Sequence, residues 1–168
     1  YAKAKGKVTG ISVTNLPAKT LTLKKGKSKV LKVGVKVSRK GVSKAYTFQS
    51  SKPKVVKVSK KGKNILVKAK KKGKATITVK SKTGKKKTAI KVTVGTPVSK
   101  VTLNKKRAQI NVGQTVRLTA KVATKKASNR KIVWKSSNKK VATVTKKGVV
   151  KGLRAGRAKI TAYAADGS

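Results

Sequence analysis

The sequence predicts an all-β chain of two tandem β-sandwiches, the second without its last strand. Three observations carry that prediction: apolar residues recur at every second position, glycine-containing basic turns separate the runs, and nearly the whole chain repeats once. Leu31, Val33, Val35 and Val37 alternate with Lys32, Gly34 and Lys36, and Ile77 and Val79 are flanked by Thr76, Thr78 and Lys80. Ile90, Val92 and Val94 alternate with Lys91 and Thr93, as Val116, Leu118, Ala120 and Val122 do with Arg117, Thr119 and Lys121. A period of two turns one face of each run inward and leaves the other in water. No 3.6-residue stripe competes with it. Between the runs lie Lys24-Lys25-Gly26-Lys27, Lys60-Lys61-Gly62-Lys63, Lys71-Lys72-Gly73-Lys74 and Thr83-Gly84-Lys85. Short strands at near-regular spacing with such turns read as a sandwich.

The repeat is visible residue by residue. Phe48 falls on Trp134 and Ser50-Ser51 on Ser136-Ser137, an offset of 86 residues, and Lys61-Gly62 matches Lys147-Gly148. Gly73-Lys74-Ala75-Thr76-Ile77-Thr78-Val79 then matches Gly156-Arg157-Ala158-Lys159-Ile160-Thr161-Ala162, with three extra residues in the first copy. Upstream the match is approximate, Leu21-Thr22-Leu23-Lys24-Lys25-Gly26 against Gln109-Ile110-Asn111-Val112-Gly113. Gly95-Thr96-Pro97 interrupts two strand-like runs and divides the chain into copies spanning 1–95 and 96–168.

Composition bounds the chemistry. Val, Ile, Leu and Phe supply 40 of the 168 residues, about 24 %, above the level of strongly charged disordered chains, so a core can form. Val dominates that set, and β-branched side chains favour strands. The charge is extreme: 49 Lys and Arg face one acid, Asp166, for a formal net charge of +48. Internal ion pairing is therefore almost ruled out, and the cations must be solvated or meet anions from outside. Cys and His are absent, which removes disulfides, thiolate or imidazole metal ligands and a neutral-pH proton shuttle. No cofactor and no enzymatic activity are expected. No apolar run approaches the roughly 18 residues of a membrane-spanning helix, and the stretch from Tyr1 to Lys7 lacks the apolar core of a signal peptide.

The run Trp134-Lys135-Ser136-Ser137-Asn138-Lys139-Lys140-Val141-Ala142-Thr143-Val144, followed by Gly148-Val149-Val150-Lys151-Gly152-Leu153-Arg154-Ala155-Gly156-Arg157-Ala158-Lys159-Ile160-Thr161-Ala162, resembles the bacterial immunoglobulin-like domain, group 2. That module occurs in invasin- and intimin-like adhesins and in surface proteins of Gram-positive gut bacteria. The first copy is looser, with Phe48 in place of Trp and a longer Gly62-to-Gly73 segment. The resemblance implies immunoglobulin-like sandwiches in a longer array, a secreted or cell-surface location, and a structural or adhesive role without catalysis. After Thr83-Gly84 the first copy continues through Lys85 to Val94, whereas the second ends at Asp166-Gly167-Ser168. The missing strand belongs to a longer array or is supplied by another chain through β-strand addition.

The candidate functional residues are cations. Lys70-Lys71-Lys72, Lys85-Lys86-Lys87 and Lys105-Lys106-Arg107 are the densest clusters, and 30 of the 49 cations precede Thr96. A net charge of roughly 2 to 8 suffices for solubility of a small domain, so +48 points to contact with polyanions through counterion release. Wall teichoic acids, sulfated or sialylated mucin glycans, heparin-like chains and extracellular DNA all fit. A basic nucleic-acid-binding protein is the alternative, although no recognition helix or row of aromatics supports it. Phe48 and Trp134 read as core aromatics, the two Ser pairs as turn hydrogen-bonders, and Asp166 as an ordinary turn acid beside Gly167.

Overall fold

The computed structural model describes residues 6–82 and 86–168, and among them there are sixteen strands and no helix. The first copy carries β1 (Val8–Val13), β2 (Thr20–Leu23), β3 (Ser28–Leu31), β4 (Val33–Val37), β5 (Tyr46–Ser50), β6 (Val56–Lys61), β7 (Asn64–Ala69), β8 (Gly73–Ser81) and β9 (Lys87–Val94). One layer is the four-stranded sheet β2-β9-β8-β5; facing it are β3-β7-β6 and the pair β1-β4. All ladders are antiparallel except β2 on β9, which is parallel and in register from Thr20↔Lys91 to Leu23↔Val94. The inward residues foretold by the alternation meet between the layers. Ile65, Ile77, Val67, Val79 and Ile90 have no exposed surface, and Leu21, Leu31, Val56 and Val92 join them.

The second copy carries β10 (Val101–Leu103), β11 (Thr115–Arg117), β12 (Ala120–Val122), β13 (Ile132–Ser136), β14 (Ala142–Val144), β15 (Val149–Gly152) and β16 (Ile160–Ala164). Its sheets are β10-β12, β11-β15-β14 and β13-β16. Comparison with the first copy shows what is lacking: β13-β16 corresponds to β5-β8, and nothing among the described residues occupies the place of β9. The second core is correspondingly thin. Its buried members are Leu118, Ala142 and Val150, with Trp134, Val116 and Ile160 packed half-buried against them.

Two continuous runs of the sequence are broken in the structure. Leu31 ends β3, which pairs with β7, whereas Val33 begins β4, which pairs with β1; the chain changes sheet at Lys32. The run from Val116 to Val122 divides in the same way between β11 and β12. A change of layer leaves the period of two intact, so hydrophobicity does not reveal it. The side-chain signal lies elsewhere, in an asparagine facing each break. Asn15 accepts from the Lys32 N–H at 2.9 Å and donates to the Val30 carbonyl at 2.8 Å. Asn104 accepts from the Thr119 N–H at 2.8 Å. Each amide satisfies backbone groups that the interrupted ladder would leave without a partner.

The junction between the copies is built around the only carboxylate. Asp166 is completely buried. Its Oδ2 accepts from the Val98 N–H at 2.7 Å, and its Oδ1 from the N–H and hydroxyl of Ser168 at 3.0 and 2.6 Å. Its backbone carbonyl accepts from the Thr22 N–H of β2 at 2.7 Å. Thr20 Oγ1 donates to the Ala165 carbonyl and Lys29 Nζ to that of Gly167. The turn after β16 thus lies along the outer edge of β2 and caps it, leaving that edge unavailable for other strands. Gly167 sits at φ 70°, and a Cβ there would press on Leu16. The turn role expected for Asp166 holds, but sequence reasoning missed its burial and its part in joining the copies.

Candidate functional site

Every described Lys and Arg is exposed except Lys29, which is half-buried at the junction. Strand alternation forces this outcome. Polar positions between inward valines face water, and turn lysines have nowhere else to go. The single carboxylate is enclosed, so no acidic side chain stands among the exposed cations of the described residues. Some cations stand directly opposite one another in the ladders, Lys57↔Lys68 and Lys80↔Lys87, an arrangement that costs stability.

The three predicted clusters do not converge. Lys70, Lys71 and Lys72 form the turn between β7 and β8; Lys86 and Lys87 lie at the far end of β8, and Lys85 lies outside the described residues. The nine residues of β8 separate these two groups by roughly 27 Å at about 3.4 Å per residue. Lys105, Lys106 and Arg107 follow β10 in the second copy.

What the structure does gather is a different set around Lys70–Lys72. The Gly26 N–H donates to the Ala69 carbonyl at 2.8 Å, and the Ala69 N–H donates to that of Lys27 at 2.9 Å. The N–H groups of Lys70 and Lys71 donate to the Val55 carbonyl at 2.8 and 3.3 Å. Three turns, 24–27, 52–55 and 70–72, are thereby stitched into one end of the first sandwich. They present Lys24, Lys25, Lys27, Lys52, Lys54, Lys70, Lys71 and Lys72, all exposed. These lysines are scattered over 49 positions of sequence, and only the turn-to-turn hydrogen bonds bring them together.

The second copy repeats the backbone of this end without the charge. The Gly113 N–H donates to the Gly152 carbonyl at 2.9 Å, and the Leu153 and Arg154 N–H groups donate to Val141 at 2.8 and 3.3 Å. At the matching positions stand Asn111, Val112, Gln114, Asn138, Lys140, Leu153, Arg154 and Ala155. Eight lysines are replaced by two cations, and Val112 and Leu153 are exposed apolar side chains there, 62 % and 41 %. The scaffold therefore does not demand lysine, and the charge of the first copy is a property of its own.

The remaining candidates take structural positions. Phe48 and Trp134 are half-buried against their cores; Phe48 lies 6.4 Å from Tyr46, ring centre to ring centre, at a tilt of 51°. Ser51 Oγ accepts from the Thr76 N–H at 2.9 Å and Ser137 Oγ from the Lys159 N–H at 2.8 Å, equivalent bonds in the two copies. Ser136 Oγ donates to the Ala142 carbonyl at 2.7 Å. The Ser hydroxyls are thus engaged with backbone, as turn residues are. Burial raises the Tyr46 phenol above its ordinary 10.0, and its hydroxyl donates to the Lys63 carbonyl at 2.8 Å. Lys135 Nζ lies 5.4 Å from the centre of the Tyr163 ring, a cation–π contact on the outer face. Among the described residues there is no group of three or more potential metal-ligating His, Cys, Asp or Glu, and no helix long and apolar enough to cross a membrane.

The model of the bacterial Ig-like domain (group 2) matches residues 7–92 and 97–168. The chain belongs to this family. Its bacterial Ig-like copies are 43 % identical over 56 residues to a 3-O-alpha-D-galactosyl-alpha-L-arabinofuranosidase of Bifidobacterium longum subsp. longum, covering 33 % of this chain and 5 % of that protein. They are 41 % identical over 64 residues to the kappa-carrageenase of Pseudoalteromonas carrageenovora, covering 38 % of this chain and 16 % of the enzyme. The chain thus spans a small part of these relatives. Domains 5–6 of the S-layer protein SbsC are similar at 17 % identity and a TM-score of 0.48, over 96 % of this chain and 86 % of that one.

Proposed function

We propose that this pair of bacterial Ig-like domains is a non-catalytic structural and adhesive module of a secreted or surface-exposed bacterial protein, and that the three-turn lysine end of the first copy holds anionic polymers. The observation that carries the second part is the contrast between the copies. One backbone scaffold displays eight lysines in the first copy and two cations in the second. Wall teichoic acids, sulfated or sialylated glycans and extracellular DNA share the feature the site recognises, a run of closely spaced anions. Lys is a point charge without the planar fork of Arg, so recognition rests on charge density rather than on sequence or sugar identity. The neighbours of the two copies are further Ig-like domains of the same array. The small matches to a glycosidase and a carrageenase concern short segments of long proteins, and the role proposed here is that of an accessory, binding and spacing part.

The test compares two variants of equal net charge by heparin binding over a range of salt concentrations. One carries Lys24→Asn, Lys27→Gln, Lys52→Asn and Lys72→Ala, which import the residues of the second copy. The other carries Lys105→Asn, Lys106→Gln, Lys139→Asn and Lys140→Ala. The first is expected to lose at least tenfold in affinity and to show a shallower salt dependence, since each lost anion contact removes about 0.7 to 0.9 from the slope. Equal losses in the two variants would show that only total charge matters and that the three-turn end is no site.

Stability should respond to the same electrostatics. The melting temperature of the wild-type chain is expected to rise between about 0.05 and 0.5 M salt, because screening shortens the reach of the repulsion between exposed cations. Heparin should raise it further at constant salt. A flat response would mean that Lys57↔Lys68 and its like are individually solvated and cost nothing.

A further inference from the structure

Lys29 is the one cation of the described residues that is not exposed. Its Nζ donates to the Gly167 carbonyl, so its side chain is already fixed where the two copies meet. An ammonium group has three donors, and that bond uses one of them. Two clefts meet at Lys29 and Gly167. One, of about 220 Å³, is bounded by Leu23, Lys24 and Lys27 of the first copy and by Pro97. The other, of about 350 Å³, is bounded by Asn15 and Leu16 of the first copy and by Lys135 and Tyr163 of the second. Neither has an acidic side chain in its lining. The Lys27 N–H donates to the Lys24 carbonyl at 3.1 Å, closing the turn that presents both lysines. The linker between the copies is pinned along its length. The Thr96 N–H donates to Ser128 Oγ at 2.9 Å, the Val98 N–H to Asp166 Oδ2 at 2.7 Å and the Ser99 N–H to Thr124 Oγ1 at 2.8 Å. Both clefts are therefore formed before any ligand arrives, which lowers the cost of binding.

We propose that the joint between the sandwiches is a binding site for a sulfated or carboxylated glycan chain, which lies across both copies. One anionic group sits among Lys24, Lys27 and Lys29, and the next at Lys135 beside Tyr163. A concave wall lined by one sign of charge focuses the field more than the same cations do on a convex surface. Lys29 adds a charge whose side chain is already ordered, so little rotamer freedom is lost on binding. Tyr163 is 41 % exposed, and Lys135 Nζ stands 5.4 Å from its ring centre. An apolar ring with a cation beside it matches a sugar that carries an anionic substituent. Single-stranded nucleic acid is held by successive bases stacked on several aromatics, and Tyr163 is the one aromatic in the lining of either cleft. The proposal rests on the polyanion reading and deepens it, because Lys24 and Lys27 also belong to the three-turn lysine end. A polymer held there is led into the joint, and both sandwiches then grip it.

The probe is a heparin tetrasaccharide, titrated into the full chain. Lys135→Gln alone is expected to lose about fourfold in affinity at about 0.15 M salt, since one contact fewer lowers the salt slope by about 0.7. Lys29→Gln with Lys135→Gln should lose at least tenfold. Lys70→Gln with Lys71→Gln removes the same charge from the three-turn end outside the clefts and should lose less than threefold for the tetrasaccharide, while weakening long heparin. Bound tetrasaccharide should also slow exchange of the Val98 amide, because it ties the two copies together. Equal losses of tetrasaccharide affinity in the two double variants would overturn the joint site, and weakened long-heparin binding by Lys70→Gln with Lys71→Gln would then leave the polyanion reading standing. Two further results would overturn it. One is inorganic sulfate slowing the Val98 amide as much as the tetrasaccharide at equal sulfate concentration. The other is a single-stranded oligonucleotide of equal charge binding as tightly and losing as much in the Lys29 and Lys135 variant.

Discussion

Trp134→Ala is expected to unfold the second sandwich while the first remains folded. Trp134 is the largest side chain packed against a core whose buried members are Leu118, Ala142 and Val150. Its ring covers Gly148, which sits at φ 80° and where a Cβ would stand 2.8 Å from Trp134 Cζ2 and press on the Leu118 carbonyl. The glycine and the ring fit each other, so deletion of the ring leaves a cavity that the tight 145–148 turn is poorly able to fill. Truncation of a large aromatic in a core costs about 3 to 5 kcal/mol, and partial exposure places Trp134 near the lower end. A small domain has a total stability of only about 5 to 15 kcal/mol, and the core of this one is thin. Hydrogen exchange at Ala142 and Val150 reads the outcome. Retained protection there, with Ile65 and Ile77 also protected, would mean that the ring is dispensable to the fold.

Asp166→Ala is expected to loosen the junction by about 3 kcal/mol. The carboxylate is fully buried and accepts from Val98 and Ser168, and removal of a charged acceptor leaves a buried N–H at Val98 without its partner. Asp166→Asn should cost less. Its remaining oxygen keeps Val98, but its amide nitrogen then faces the Ser168 N–H, donor against donor. The amides of Thr22 and Val98 should exchange faster in both variants, more so in the alanine form. Solution scattering should report a broader distribution of orientations between the sandwiches, with the amides of Ile65 and Ile77 unaffected. An unchanged scattering profile would show that the contacts of Thr20 and Lys29 with Ala165 and Gly167 fix the joint without the carboxylate.

How much of this was legible beforehand differs from one feature to the next. Alternation in the Ile90–Val94 run gave the direction of every side chain in β9, since burial of Ile90, Val92 and Val94 alternates with exposure of Lys91. The Ser-Ser and Gly-x-Ala landmarks aligned the copies well enough to set β13-β16 against β5-β8. The crossing between sheets at Lys32 was illegible, because both layers demand the same period of two and the decisive residue, Asn15, lies 17 positions upstream. The lysine end was partly legible. Lys70–Lys72 stood out as a run, but its companions at 24–27 and 52–54 are joined to it by backbone hydrogen bonds between turns, which no local pattern encodes. Asp166 could be read only as a turn residue, since its partner Val98 is 68 positions away.

The parallel pairing of β2 with β9 has a mechanical consequence. A pull on the two ends of the first sandwich draws β2 toward the chain's start and β9 toward the second copy, so the two strands are loaded along their lengths in opposite directions. The Lys91–Lys19 and Gly95–Leu23 bonds at either end of that ladder then bear the tension together instead of parting one at a time. A domain loaded in series gains from such a shear clamp, because rupture must break the whole row at once.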